Sequence, residues 1–431
     1  MAQEMTPTKT SLVTTDDCED EDIQQRRFCA KNSMDRFGDD LCGHILSYLS
    51  LEDRFDCECV SKQFQRTVFE SVVDITLHDP YVKRSRTDIN DMQMLATIGH
   101  KCPHIHTIDC RRINKRNQKQ LRKVLAIFRD NLRHIYCNLN RNTDKLWPKF
   151  GPMVTRIDRI SLNTRQSLTH CHRLSRLRVH TLCDVFDDTF NELFVKNLQR
   201  IEFSYNKSDD KQLLSAFVAQ NQTLRSVTII DHKYEPHESW TEMGEQLSRL
   251  PQLRDLTLDV KLMDGQNSLN ESLRAIGLKC WQLKRLSLTL GVYFRRLNNQ
   301  SLDSLRFYCR LKRLDLTITA AIDDVFLDPL KLCHRLKHLT LNSWQMNEKL
   351  FVNCDKQWPR LQYLLITTNA ITREGLDNIS RLPALQTLVI KCWHFNKNLN
   401  DNVCQELSLR LMLSLARVWI ISQDYQRCRH W

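Results

Sequence analysis

A chain of 431 residues, 41% apolar and 26% charged, has ample material for a globular core, but 9 glycines and 10 prolines are few. Usual usage would give roughly 30 and 20, so phosphate-cradling loops and tight hairpins are poorly supplied, which disfavours a nucleotide-binding enzyme. Lys and Arg number 63 against 51 Asp and Glu, a net charge of +12; because the basic residues are spread along the chain rather than gathered in a tail, a nucleic-acid partner is not expected.

No apolar run approaches the ~18 residues that span a bilayer, and the opening MAQEMTPTKT lacks the apolar stretch of a signal peptide. The reading is therefore a cytoplasmic or nuclear protein, with no membrane partner and its 17 cysteines reduced. Residues 1–33 include Asp16, Asp17, Glu19, Asp20, Glu21 and Asp22 with little apolar material between them, the composition of a disordered acidic tail.

Residues 34–72 form a unit of a different kind. Asp39 or Asp40 is placed to cap a helix carrying Leu41, Ile45, Leu46 and Leu49 on one face. Ser50, with Glu52 and Asp53 behind it, opens a second helix with Phe55, and a third begins near Ser61 with Phe64, Val68 and Phe69 inward. Three short helices make a small core.

From Val72 a pattern repeats: an apolar residue, another three later, a third two beyond. A 3-then-2 spacing places the last two on one face of a short strand and turns the first inward. Its clearest form is Leu253/Leu256/Leu258, Leu283/Leu286/Leu288, Leu311/Leu314/Leu316 and Leu336/Leu339/Leu341, at intervals of 30, 28 and 25 residues. Each interval holds a strand, a turn and a helix, the signature of leucine-rich repeats. Following the register from Val72/Ile75/Leu77 to Leu415/Val418/Ile420 predicts about fourteen strands over 73–431. Ile157/Ile160/Leu162 fits least well, being only 17 residues before Leu174. Helical spacing appears at 209–220, 268–280, 299–309 and 372–381, and Lys83 to Arg86 is expected to loop out. The expected fold class is α/β, a leucine-rich-repeat solenoid: a parallel-strand horseshoe with outer helices, behind a small three-helix domain.

Cys102, Cys171, Cys280 and Cys333 each stand three residues before the first apolar position of a repeat, and Cys309 two before, which suits small buried side chains at helix ends. The sharper reading, metal held by His170-Cys171-His172 or by Cys102 with His104 and His106, lacks paired Cys-x-x-Cys spacing; no metal and no cofactor are expected. Asn140, Asn206 and Asn369 end nine-residue forms of the repeat, where the side chain can bond turn backbone.

Phe37-Gly38-Asp39-Asp40-Leu41, Ile45-Leu46-Ser47-Tyr48-Leu49, Ser50-Leu51-Glu52-Asp53 and Val60-Ser61-Lys62-Gln63-Phe64 resemble an F-box. Phe37 and Gly38 stand where the family has Leu-Pro, and Arg54 where leucine is common. An F-box followed by leucine-rich repeats is the layout of F-box/leucine-rich-repeat proteins. That resemblance implies the substrate-recognition subunit of an SCF-type (Skp1-cullin-F-box) ubiquitin ligase. In that family the F-box docks the adaptor Skp1, and through it cullin and RING subunits, while the repeats hold the protein to be degraded. Carried onto this chain, the Skp1-binding residues are Phe37, Asp40, Leu41, Ile45, Leu46, Tyr48, Leu49, Leu51, Phe55, Val60 and Phe64. The alternative is a repeat scaffold with no ubiquitin link.

In Leu-x-x-Leu-x-Leu-x the third, fifth and seventh residues point to the concave sheet. Arginines cluster there in the earlier repeats (Arg159, Arg176, Arg178, Arg200, then Arg285 and Arg313), and the later repeats turn aromatic, with Tyr363 and, just past their strands, Trp344 and Trp393. This surface suits a protein ligand with an acidic or phosphorylated segment. The chain has no His-Glu-x-x-His and no Gly-x-Ser-x-Gly elbow, so no catalytic residues are expected.

Overall fold

A computed structural model describes residues 38–78, 89–113, 118–141, 143–187, 192–205, 210–230, 239–262, 268–292, 302–319, 324–343, 346, 348–368, 371–392 and 417–422. The chain divides into two units, Met1–Val72 and Val73–Trp431.

In the first unit, α1 (Asp39–Ser47), α2 (Leu51–Asp56) and α3 (Lys62–Ser71) close on a core of Cys42, Leu46, Phe64 and Val68. Leu49, Phe55, Cys57 and Phe69 pack against that core, the rings of Phe55 and Phe69 6.1 Å apart. Ser50 caps α2, accepting from the Asp53 N–H at 3.2 Å while its hydroxyl donates to the Asp53 carboxylate at 2.8 Å. Ser61 caps α3 through the Phe64 N–H at 3.1 Å. The start of α1 differs from expectation, since Gly38 is its N-cap and no side chain caps it. Asp39 instead reaches across to α3, accepting from Gln63 at 2.8 Å and from Arg66 at 2.9 Å. Those two bonds hold its carboxyl below the ordinary range, Gln63 contributing most.

Among the described residues the second unit is one sheet of 14 strands in sequence order, every strand-to-strand ladder parallel, with one isolated antiparallel bridge between Phe186 and Leu193 outside the strands. Adjacent strands differ by one repeat, so every crossover is local. The triplet leucines are sealed, Leu286, Leu288, Leu314 and Leu339 being at most 1% exposed. The 3-then-2 spacing thus becomes one continuous apolar layer from strand to strand. On the connecting side, helices Asp210–Gln220, Ser239–Leu247, Ser268–Lys279 and Arg373–Ser380 alternate with 3-10 stretches such as Leu162–His170, Asp303–Phe307 and Asp324–Leu332. Pro329 lies inside the last of these and removes a backbone donor. The expected helix at 299–309 is reduced to Asp303–Phe307 among the described residues. Helices Ser239–Leu247 and Ser268–Lys279 meet at Gly244, where a Cβ would overlap the Ser272 backbone.

Two details correct the sequence reading. Strand β4 (Val154–Ile160) aligns Ile157 with Leu177, so its triplet opens at Val154, buried at 0%, and not at Ile157. Irregularities on both sides of Tyr136–Cys137 pairing cause the slip: the partner of Ile135 is Val154 but the partner of Leu139 is Ile160, two residues further than a straight ladder allows. Cys102, Cys171, Cys280 and Cys333 are buried at the helix ends, but Cys309 is exposed. Tyr308 fills that slot, 3% exposed, and its hydroxyl donates to the Leu273 carbonyl at 2.7 Å. The backbone of Asn140 bonds Thr143 on both sides of a turn, its N–H donating to Thr143 Oγ1 at 3.2 Å and its carbonyl accepting the Thr143 N–H at 2.9 Å. Asn206, Asn369 and Lys83 to Arg86 lie outside the described residues, as do Phe37, Trp344, Trp393 and the tail.

Candidate functional site

On the three-helix unit the apolar residues divide sharply. Leu46 (0% exposed) and Phe64 (4%) belong to the internal core, which corrects the expectation that they meet an adaptor: α1 turns Leu46 toward α3. Leu49 and Phe55 are half-buried against the same core, and Ile45 is half-buried. Leu41 (44%), Tyr48 (77%) and Val60 (52%) remain exposed, as does Asp40. Tyr48 is held in place on that surface: its hydroxyl lies 3.3 Å from His44 Nε2 and the two rings meet edge to face at 5.2 Å. Arg54, where leucine is common, donates to the Leu49 carbonyl at 3.2 Å and fastens the α1–α2 connection. The side chain of Leu51 lies outside the described residues.

On the open face of the sheet, most arginines are bound by carboxylates of the same or a neighbouring strand. Arg111 on β2 (Thr107–Arg112) holds Asp109 at 2.6 Å and reaches Asp158 on β4 at 2.5 Å, and its guanidinium lies 5.6 Å from the Tyr136 ring. Asp158 also accepts from Arg156 at 2.9 Å. Burial works against ionisation of Asp109, but its bonds to Arg111 outweigh it and hold the carboxyl below the ordinary range. Arg178 pairs with Glu202 at 3.0 Å, Arg313 with Asp315 at 2.8 Å, and Arg285 forks onto Asp255, its second arm at 2.7 Å.

Arg176 on β5 (Arg176–Arg178) and Arg200 on β6 (Arg200–Ser204) are different. They are partners in the ladder, both exposed, and neither has a carboxylate among the described residues. Arg156 precedes them in the same row. Beside them lies a concavity of about 300 Å³ lined by Arg159, Arg178, His180, Glu202 and Ser204. Arg159, expected on the regular concave row, sits instead in the irregular end of β4, exposed at the rim of that concavity. Further along, Tyr363 on β12 (Tyr363–Thr368) is half-buried with its ring 5.8 Å from His338. Sequence reasoning could not separate all bound arginines from free ones, because the carboxylates that reach Arg178 and Arg285, and one of the two on Arg111, arrive from other repeats.

The cysteines of the repeats are chemically quiet. Burial pushes Cys110, Cys171 and Cys333 up to about 12, Cys280 to about 11, and Cys137 well above its ordinary value. Among the described residues no three His, Cys, Asp or Glu side chains are grouped to hold a metal ion, and no helix is long and apolar enough to cross a membrane.

The family model of the F-box domain matches residues 34–73. The chain carries an F-box. Its three helices are α1 to α3, and the 14-stranded leucine-rich-repeat sheet follows it in sequence. Solved structures similar to the chain include an internalin (inlF) from Listeria monocytogenes, at 11% identity and TM-score 0.39 over 83% of this chain and 84% of that one. Another is the complex of Rad7 and Elc1 in yeast, at 15% identity and TM-score 0.42 over 83% and 89%. Among curated proteins no match is found.

Proposed function

We propose that this F-box/leucine-rich-repeat chain is the substrate receptor of an SCF-type ubiquitin ligase, working in the cytoplasm or nucleus. The observation that carries the reading is an F-box whose own core is satisfied while Leu41, Tyr48 and Val60 stay in solvent. Large exposed apolar side chains on a unit this small are available to desolvate against an adaptor of the Skp1 type, and the His44 contact fixes the Tyr48 rotamer before binding. The repeats then present a protein target through their open face, with Arg176 and Arg200 as forks for an acidic or phosphorylated segment and Tyr363 as a ring anchor. No step of the reaction falls to this chain: holding a target lysine beside a charged conjugating enzyme raises its effective concentration.

The test of the adaptor is co-purification of Skp1 and cullin with wild type and with a Leu41→Asp, Tyr48→Ala variant. Loss of both partners at unchanged thermal stability is expected; a complex that survives would leave only a protein-binding scaffold. Leu46 is unsuitable for that experiment, since emptying a fully buried leucine costs about 2–5 kcal/mol and unfolds the unit. For the target, affinity purification with the proteasome blocked should recover proteins that an Arg176→Ala, Arg200→Ala variant does not. Equal recovery would remove the arginine pair from the site.

A further inference from the structure

The entry edge of the strands carries a second surface, unrelated to the F-box and distinct from the open face. Strands β8 (Asp255–Leu262), β9 (Arg285–Val292), β10 (Arg313–Ile318), β11 (His338–Ser343) and β12 are each entered through a four-residue turn. The N–H of the first leucine closes each turn on the carbonyl three residues back: Leu283 on Cys280 at 3.0 Å, Leu311 on Tyr308 at 3.0 Å, Leu336 on Cys333 at 3.1 Å and Leu361 on Trp358 at 3.1 Å. The residue after that leucine offers its carbonyl to the next repeat. Arg254 N–H donates to Arg225, Lys284 to Arg254, Lys312 to Lys284 and Lys337 to Lys312, all at 2.8–2.9 Å. Five consecutive repeats, from the one before β8 to β11, therefore place a cation at one register (Arg225, Arg254, Lys284, Lys312 and Lys337), about 4.8 Å apart, the spacing of neighbouring strands, and the β12 repeat has Gln362 there.

A second row lies beside the first. The last turn residue before the leucine is Arg310, Arg335 and Arg360 in three successive repeats. The segments 250–254, 280–284, 308–312, 333–337 and 358–362 contain no Asp or Glu. Apart from Lys337, which is half-buried, all of these cations are exposed, and none has an ion-pair partner among the described residues. Like charges stacked in register repel, and on the open face of the same sheet carboxylates relieve most such charges. On the edge nothing among the described residues does.

Within this ridge stands Trp281, 60% exposed, in the turn that enters β9. The guanidinium of Arg310, one repeat on, lies 5.7 Å from its ring. An open indole flanked by a guanidinium is a platform for a flat π-system, and the cations on either side of it are spaced to follow a charged backbone. An acidic peptide would use the cations but leave the ring idle. A duplex keeps its bases stacked inside, away from such a ring.

We propose that the strand-entry edge of β8 to β12 binds single-stranded nucleic acid, with Arg254, Lys284, Lys312 and Lys337 tracking phosphates and Trp281 stacking a base. The repeats conceal this in the sequence, because neighbours on the ridge are separated by 25 to 30 residues.

Fluorescence anisotropy of the full chain with a labelled oligouridylate of about 20 nucleotides tests it, titrated from about 0.05 to 0.3 M NaCl. Neutralising four phosphates gives a log Kd against log salt slope of magnitude about 2.8, and Lys284→Ala, Lys312→Ala, Lys337→Ala together should lower that magnitude by about 2. Trp281→Ala should weaken binding about tenfold with the slope unchanged, since stacking releases no counterions. A charge-matched control, Arg122→Ala, Lys123→Ala, Arg129→Ala, removes three exposed cations elsewhere and should leave both quantities as in wild type. The assignment is overturned if the oligonucleotide does not bind, if the control matches the ridge variant, or if polyglutamate or phosphatidylserine vesicles bind the ridge and the oligonucleotide does not displace them.

Discussion

Two surfaces of one solenoid carry rows of arginine and lysine and treat them in opposite ways. On the open face, Arg111, Arg156, Arg178, Arg285 and Arg313 each meet a carboxylate, in several cases from another strand. Along the strand-entry edge, Arg254, Lys284, Lys312 and Lys337 stand in register with no carboxylate in the segments around them. A net charge of +12 is therefore a poor guide to where positive potential lies. Among the described residues, cations without a carboxylate stand in register along the edge and at one interruption of the open face, Arg176 beside Arg200, and those are the places where an external anion can replace a missing internal one.

The contrast is broken most forcefully at Arg111. This side chain is 23% exposed and holds Asp109 (14%) and Asp158 (28%) together. Arg111→Ala leaves two largely covered carboxylates short of a partner, and thermal or urea unfolding should show a loss of about 2–3 kcal/mol. A loss below about 0.5 kcal/mol, the ordinary level for exposed positions, would mean the network is ornamental. Arg254→Ala on the edge should stay within that small range.

Acid sharpens the same comparison. The folded-state carboxyl of Asp109 titrates below its unfolded value, so its stabilisation is complete above the unfolded pKa of about 3.8 and is lost as pH falls through the folded one. Wild type should therefore lose stability below about pH 4 more steeply than Arg111→Ala, in which that linkage is gone. Parallel curves would show that Arg111 does not set the titration.

Much of the fold was legible because strand geometry dictates a 3-then-2 apolar spacing wherever a repeat crosses the sheet, and Leu286/Leu288 or Leu339/Leu341 obey it without exception. It failed at β4, where two ladder irregularities insert residues and the apolar spacing no longer reports the register. Cys309 misled for a related reason, since its offset of two put Tyr308 in the buried slot. Helical period correctly marked an apolar face of α1, yet it could not say that Leu46 is covered by Phe64 and Val68 while Leu41 is left open, because those partners come from another helix. Charge pairing was the least legible feature. Arg111 and Asp158 are 47 positions apart, and only the stacking of β2, the strand His134–Leu139 and β4 brings them to 2.5 Å.

Cysteine chemistry gives a smaller, independent effect. Burial holds Cys171, Cys280 and Cys333 as thiols, up at about 11–12, so in the native protein they should resist alkylation, whereas Cys59 and Cys309 are exposed. Peptide mapping after brief iodoacetamide treatment should find label at Cys309 and none at Cys333. Labelling at both would show that the repeats open locally on the time scale of the reaction.

The smallest expected effect is one of sign. Salt screens attraction between paired charges and repulsion between stacked ones, with a Debye length of about 10 Å at 0.1 M, longer than the ~4.8 Å between adjacent strands. On the open face added NaCl should therefore weaken the paired network, and on the edge it should relieve the cation ladder. Each contribution is a few tenths of a kcal/mol per pair. Lys284→Ala, Lys312→Ala, Lys337→Ala removes the repulsive part alone, so its melting temperature should fall with moderate salt relative to wild type, while Arg285→Ala with Asp255→Ala should shift the balance the other way. If the two variants respond to salt with the same sign, the edge and the open face are not the electrostatic opposites that their hydrogen-bond partners imply.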